Sequence, residues 1–393
     1  MKSFFQLVRR EFKLFFSNPT LISVFILGPI VYAVMLNSVY KSGKVVELPI
    51  VVIDRDNSPM SQQVIEMLND NEGLNVVTVL PESNDAKKEM IDKRAAGLII
   101  IPDRFEGEVL TGRYPEVMIY CNTVNMLTAN YVSKSIQTSL GTFAAGAEMK
   151  ALQRKGMSGA QAYLRYEPFK QNYIKVFNET GNYFNFMWPA MLTVVFQQVI
   201  LLAMAVTIAA EVQKGTLAIG VAGKKRGALA TVFSKVLPIW ILSFPIILMF
   251  YGFHVYFGAP LPTKPLDFAI LSALFVMAAT FLGTAFSAII PDALKATQIL
   301  MLVSAPGFII GGYTWPTEAM AGWIQGLANI LPLTPFVDGF KLLLFEEAEL
   351  YQVSDSILHL VIQLVVYLVL SVLFVRWRMK KEAANSASDS ASI

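Results

Sequence analysis

A chain of 393 residues that is 54% hydrophobic and only 16% charged, with a mean hydropathy of +0.51, departs from soluble proteins, where about a quarter of residues are charged. Its 32 Lys+Arg against 29 Asp+Glu leave a net charge of +3, too small to indicate nucleic acid, and the single cysteine, Cys121, forbids an internal disulfide. Disorder, collagenous repeats and disulfide scaffolds are excluded, and the bulk of the chain is expected in lipid.

In residues 1–19, Phe4, Phe5, Leu7, Val8, Phe12, Leu14, Phe15 and Phe16 interleave with Arg9, Arg10 and Lys13, which predicts a cytoplasmic amphipathic helix at the lipid surface. Crossing about 30 Å of hydrocarbon takes about 20 apolar residues. Stretches free of Asp, Glu, Lys and Arg that meet this length lie at roughly 20–40, 184–210, 236–257, 268–290, 296–313 and 356–375. The third carries Pro245. The fifth carries Pro306, Gly307, Gly311 and Gly312, which predicts a kinked or half-spanning element packed within protein.

Basic residues gather before the first stretch (Lys2, Arg9, Arg10, Lys13), after the second (Lys214, Lys224, Lys225, Arg226, Lys235), after the fourth (Lys295) and after the sixth (Arg376, Arg378, Lys380, Lys381). The alternate short loops hold only Lys264 and Lys341 amid several acids, so both termini are expected in the cytoplasm. The first stretch lacks a cleavage site and is read as a retained anchor, which exports the segment on its C-terminal side.

Residues 41–183 regain a soluble level of charge and are expected to form an extracytoplasmic α/β domain. Strands are predicted at 48–54, 74–80, 97–101 and 116–121, helices at 84–94 and 103–110, and a helix opening at Ser58-Pro59. From about 125 to 154 an Ala-, Ser- and Gln-rich stretch predicts a long helix. Cys121 reads as a small core residue at a strand end. Asn178-Glu179-Thr180 matches a glycosylation acceptor, a pattern common by chance. The expected fold class is thus an α-helical polytopic membrane protein of six transmembrane helices with an inserted α/β domain. Residues 184–375 supply five of the helices, and 376–393 form a basic cytoplasmic tail.

No catalytic, cofactor-binding or metal-binding motif is apparent. Gly220–Lys225 lacks both the spacing and the Ser/Thr of a phosphate-binding loop, so this chain is not expected to hydrolyse ATP. Coupling ions usually need intramembrane charge, and the six stretches offer only His254 and His359, near their ends, where packing is the expected role. An enzyme is not expected.

Four segments resemble those of ABC-2 type transporter permeases, the membrane subunits of ABC exporters. They are Arg9-Arg10-Glu11-Phe12 with Asn18-Pro19; Val52–Ser61 with Gly97–Phe105; Glu211–Leu217; and Gly311–Pro316 with Trp323 and Leu331–Phe336. The resemblance implies a cytoplasmic coupling loop over 211–235, in which Glu211, Lys214, Gly215, Thr216 and Leu217 meet an ATPase subunit that carries ATP and magnesium. Ala218 stands where the family usually has Glu. It also implies an outer re-entrant element over 314–345, with Trp315, Pro316, Trp323 and Pro332 as a gate. A substrate pathway would run near Gln197, Gln198, Ser304, Gly307 and Gly311, although the amides could equally bond neighbouring helices and the glycines serve only close packing. Implied partners are the ATPase, a second permease in a homodimer or heterodimer, membrane lipids and a periplasmic adaptor, with no nucleic acid. The implied setting is a bacterial inner membrane and the implied cargo a drug, lipid or lipid-linked compound. The alternative is a non-transporting surface protein whose outer domain binds a ligand.

Overall fold

The computed structural model describes residues 2–83, 85–166, 169, 172–217, 227–290 and 292–391. The chain divides into two compact units, Met1–Gly43 with Lys175–Ile393, and Lys44–Ile174.

The first unit opens with α1 (Lys2–Phe16), in which Leu7, Val8, Glu11 and Phe15 recur at helical spacing and are buried. Asn18 then caps α2 (Pro19–Ile22), accepting from the N–H groups of Thr20 at 3.0 Å and Leu21 at 3.4 Å, with Pro19 in the first turn. A π-helical turn at Ser23–Leu27 leads into α3 (Gly28–Tyr40). These three pieces form one apolar length from Pro19 to Tyr40.

The second unit holds β1 (Leu48–Asp54), α4 (Pro59–Asn69), β2 (Leu74–Leu80), α5 (Ala86–Asp92), β3 (Gly97–Ile101), α6 (Phe105–Leu110), β4 (Met118–Cys121), α7 (Met126–Arg154) and α8 (Gly159–Tyr166). The sheet order is β2-β1-β3-β4, with β4 alone antiparallel. β1 and β3 are unbroken apolar runs because both of their faces are covered, whereas edge strand β2 alternates buried and exposed residues. Gly97 lets α7 approach: a Cβ there would lie 2.8 Å from a Val132 methyl. Cys121 sits opposite Gly97, and partial burial pushes its thiol pKa up, away from thiolate chemistry.

The loop after β1 is tied by one carboxylate. Asp54 Oδ1 accepts the N–H groups of Asp56 (3.1 Å) and Asn57 (3.0 Å), and its Oδ2 accepts the Ser61 hydroxyl (2.7 Å). Ser58 and Ser61 close a reciprocal cap on α4. Asp56 in turn accepts the N–H of Glu106 at 2.9 Å, and the Arg55 N–H donates to the Ile101 carbonyl at 3.2 Å, so the two predicted signatures, 52–61 and 97–105, meet beside this knot.

The first unit resumes with α9 (Tyr183–Gln213), α10 (Ala228–Phe257), α11 (Pro265–Ile289), α12 (Ala293–Ser304), α13 (Gly307–Ile310), α14 (Gly322–Ala328), α15 (Leu333–Phe345) and α16 (Ser354–Ala391). Its two halves are stitched where they leave for the second unit: the Tyr183 N–H donates to the Gly43 carbonyl at 2.5 Å, and the Tyr40 and Tyr183 rings lie 5.7 Å apart. Among the described residues six helices are long and apolar enough to cross a membrane, or seven if α14 and α15, bent by 81°, count as one. The fifth is broken between α12 and α13 at Ala305-Pro306, as its prolines and glycines predict. α9 and α11 form the centre, and a Cβ on Gly283 would stand 2.9 Å from Met204 Cβ, so the two backbones touch through a small residue.

The helix limits correct one expectation. α9 continues to Gln213 and α10 starts at Ala228, so Glu211 and Lys235 stand inside helices rather than in a loop over 211–235. The charge-free lengths therefore understate the helices, which tolerate ions at their ends by pairing them.

Candidate functional site at the two ends of α9

Lys235 is 2% exposed, and its ammonium lies 2.7 Å from Glu11 Oε2 and 3.0 Å from Glu211 Oε2, while it also donates to the Thr207 carbonyl at 3.3 Å. Arg10 donates to the other oxygen of Glu211. Two cations and two carboxylates thus join α1, the end of α9 and the start of α10, beside a cavity of about 350 Å³. Burying Glu11, Glu211 and Lys235 is tolerable only because each is matched in place, with Arg10 reaching the cluster from a partly exposed position. α1 is therefore fastened to the helix bundle by ion pairs as well as by its apolar face. The sequence marks Arg10 and Lys235 as cytoplasmic charge, Arg10-Glu11 as part of a family-like segment and Glu211 as a coupling residue, but nothing in it brings the four together. The available signal was Glu11 itself, an acid on the face otherwise occupied by Leu7, Val8 and Phe15.

Beyond Glu211 the helix ends in the predicted turn. Gly215 adopts φ +63°, the left-handed region that glycine favours, and the Thr216 N–H donates to the Glu211 carbonyl at 3.0 Å. Thr216 thus closes α9; the expected helix after it, with Ala218, Lys224, Lys225 and Arg226, lies outside the described residues. Lys214 is exposed and Leu217 is buried.

Midway along α9, Gln197 is fully buried and neither amide atom has a hydrogen-bond partner among the described residues. Gly307 faces it: a Cβ there would stand 3.8 Å from Gln197 Nε2 and 3.3 Å from a Leu333 methyl. Gly311 lies against the same leucine. The structure brings these three predicted pathway residues together, while Gln198 is half-buried and Ser304 turns back to the Met301 carbonyl at 3.4 Å. Because a buried amide without partners costs about 1–3 kcal/mol, Gln197→Leu is expected to stabilise the protein by a similar amount. Thermal unfolding of the full chain in detergent checks this, and a lower midpoint would contradict it.

At the opposite end of α9, the Tyr313 hydroxyl donates to the Phe186 carbonyl. Lys341 of α15 donates to the Gly312 carbonyl at 2.6 Å and sits 5.2 Å over the Tyr313 ring, with Asp338 at 3.9 Å. Gly312 has φ +82°, and a Cβ there would meet Thr317 at 2.9 Å, so the turn admits no larger residue. α15 thereby holds the end of the broken fifth helix against the first turn of α9. Of the residues expected to form a gate, Trp315 and Trp323 are 58% and 71% exposed, Pro316 precedes a 3₁₀ turn at Thr317–Ala319, and buried Pro332 opens α15. The two tryptophans thus face outward, and Tyr313 and Lys341 make the fastening contacts. The histidines pack: His254 Nδ1 lies 2.8 Å from the Phe250 carbonyl and its ring is 4.8 Å from that of Trp188, while His359 Nε2 is 3.3 Å from the Asn329 carbonyl.

The ABC-2 family transporter protein model matches residues 19–373, which takes in α9 with both of its ends. The chain belongs to the ABC-2 transporter family. It is also similar to the linearmycin resistance permease protein LnrN of Bacillus subtilis (strain 168), at 24% identity over 142 residues. That match covers 36% of this chain, and the chain spans 36% of the relative's length. As an ABC-2 permease the protein is a multi-pass membrane component of a transport system, and membership implies an ABC ATPase partner in general terms.

Proposed function

We propose that the protein is the membrane subunit of an exporter that moves a hydrophobic or amphipathic compound outward, driven by ATP and magnesium held on a separate ATPase. The carrying observation is α9. From Glu211 to Phe186 it runs about 38 Å at 1.5 Å per residue, joining the ion cluster at one end to the Tyr313–Lys341 fastening at the other. Pro189 interrupts the helix hydrogen bonding near the Phe186 end, and from there to Glu211 α9 contains no further proline, so that length passes a displacement rather than absorbing it. In this reading Lys214–Leu217 meets the ATPase on the cytoplasmic side of a bacterial inner membrane, residues 41–183 lie outside it, and two permease subunits face each other. The resistance function in the name of LnrN supports a toxic cargo. The unpartnered amide of Gln197, beside Gly307, supplies a polar contact within an otherwise apolar path.

Gly215 provides the test, because a Cβ there meets nothing within 4 Å and substitution acts only through the backbone. Gly215→Val forces a β-branched residue into a left-handed turn at a cost of about 1–2 kcal/mol, which is a roughly five- to thirtyfold loss of affinity for a partner that docks only on that turn. Full-length protein purified from its native membrane is expected to bring down an ABC ATPase, and the variant to bring down about a tenth as much. Wild-type protein that co-purifies with no ATPase, or a variant that exports at the wild-type rate, would end this reading.

A further inference from the structure

α10 and α11 are close at one end and separated at the other. Trp240 Nε1 donates to Thr280 Oγ1 at 2.8 Å, and the Trp240 ring lies 5.7 Å from that of Phe281. One turn farther along α10, Pro245 removes a helical hydrogen bond and crowds the preceding turn, the ordinary cause of a bend. Between Phe244 and His254 on one side and Pro265 and Phe275 on the other lies a groove of about 170 Å³. It runs about 15 Å along α10 at 1.5 Å per residue. Its floor is aromatic: Phe275 stacks on Phe336 at 4.3 Å and lies 6.4 Å from Phe196.

We propose that this groove is a binding site for one acyl chain of a membrane phospholipid. The inference rests on the chain spanning a membrane and is independent of the direction of transport. Of the polar groups in the wall, the Thr193 hydroxyl donates to the Pro189 carbonyl at 2.9 Å and His254 Nδ1 is engaged by Phe250, while Tyr251 and Ser272 add two hydroxyls to a lining that is otherwise apolar. Along most of its length water in such a slot would lack partners. The rim settles the occupant, since Phe244 is 68% and Leu248 59% exposed on a membrane-crossing helix, which places hydrocarbon along the mouth of the groove. A slot of this shape left empty would forfeit dispersion contacts along its floor. Ala269, exposed at the mouth, leaves room for a chain to enter.

The full chain in vesicles containing a phospholipid with a mid-acyl diazirine provides the test, read by mapping the photo-adducts. Adducts are expected on the lining residues Phe196 and Phe336, which are buried but for 5% and 4% of their surface and face the groove. Ala269→Trp, which plugs the mouth, is expected to reduce floor adducts about tenfold, because excluding two or three methylenes suffices for that loss. Adducts on the exposed Val365 and Val366 of α16 should stay constant and report that the variant is folded. If the variant fails to fold, the ratio of floor to rim adducts in the wild-type protein decides by itself. Labelling confined to the rim, floor labelling that survives the plug, or floor labelling displaced by a single-tailed amphiphile at constant phospholipid would each overturn the assignment, the last in favour of cargo.

Discussion

Lys235→Met is expected to destabilise the protein by about 3–5 kcal/mol, the range for breaking a buried ion pair by removing one partner. The variant leaves Glu11 and Glu211 facing each other beside the vacated position, with side chains only 1% and 8% exposed. Arg10 still holds Glu211, so the penalty is the loss of the two ammonium contacts together with the repulsion between the carboxylates. Glu11→Leu combined with Lys235→Met removes one charge of each sign, leaves the Arg10–Glu211 pair, and is expected to recover most of the loss, because a matched apolar replacement of a buried pair is often neutral or better. Denaturant unfolding in detergent, followed by tryptophan fluorescence, measures both. A single variant within about 0.5 kcal/mol of wild type would show that the cluster is a screened surface feature.

Asp54→Ala is expected to cost about 3 kcal/mol, since it strips the acceptor from the N–H groups of Asp56 and Asn57 and from the Ser61 hydroxyl, at about 1 kcal/mol each. Asn57 holds φ +47°, a conformation that asparagine tolerates better than most residues, and the Asp54 carboxylate pins its N–H there, so the turn should loosen when the carboxylate goes. Asp54→Asn should cost about 1 kcal/mol, because one amide oxygen still accepts the two N–H groups and the Ser61 hydroxyl can turn to the Ser58 carbonyl, 2.9 Å away. Hydrogen exchange at residues 56 and 57 in the full chain distinguishes them: protection falls sharply in the first and slightly in the second. Equal protection in all three proteins would rule out the knot as the organiser of the loop.

How much of the fold is legible in the sequence depends on the range of the forces involved. β1, β2 and β3 fall on their predicted residues because strands in or beside a covered parallel sheet are written as short apolar runs between turn formers. The membrane-crossing helices were legible because hydrocarbon imposes length and polarity on every residue of a stretch at once. β4 begins at Met118 rather than at 116, where a single edge pairing with β3 gives little to specify its start. The ion cluster was not legible, since residues 11, 211 and 235 meet only in the folded chain, where the first reads locally as a helix charge and the other two as loop charges. The Tyr313 contact was hidden for another reason: its acceptor is a main-chain carbonyl, which any residue at position 186 would supply. Trp315 and Trp323 drew notice by type, yet type gives no direction, and both point away from the contacts that fasten this end of α9.

The hydrogen bond from Tyr183 to Gly43 means that residues 44–174 depart from and return to adjacent points, a junction reinforced by Asn182, whose side chain caps the first turn of α9. A segment mounted on touching ends can be lengthened, shortened or exchanged with little strain on its mount, because doubling a closed loop costs only about 0.6 kcal/mol. At the level of chain closure, therefore, the junction prescribes no particular length for what it carries, and extra residues inserted within 44–174 need not part Tyr183 from Gly43.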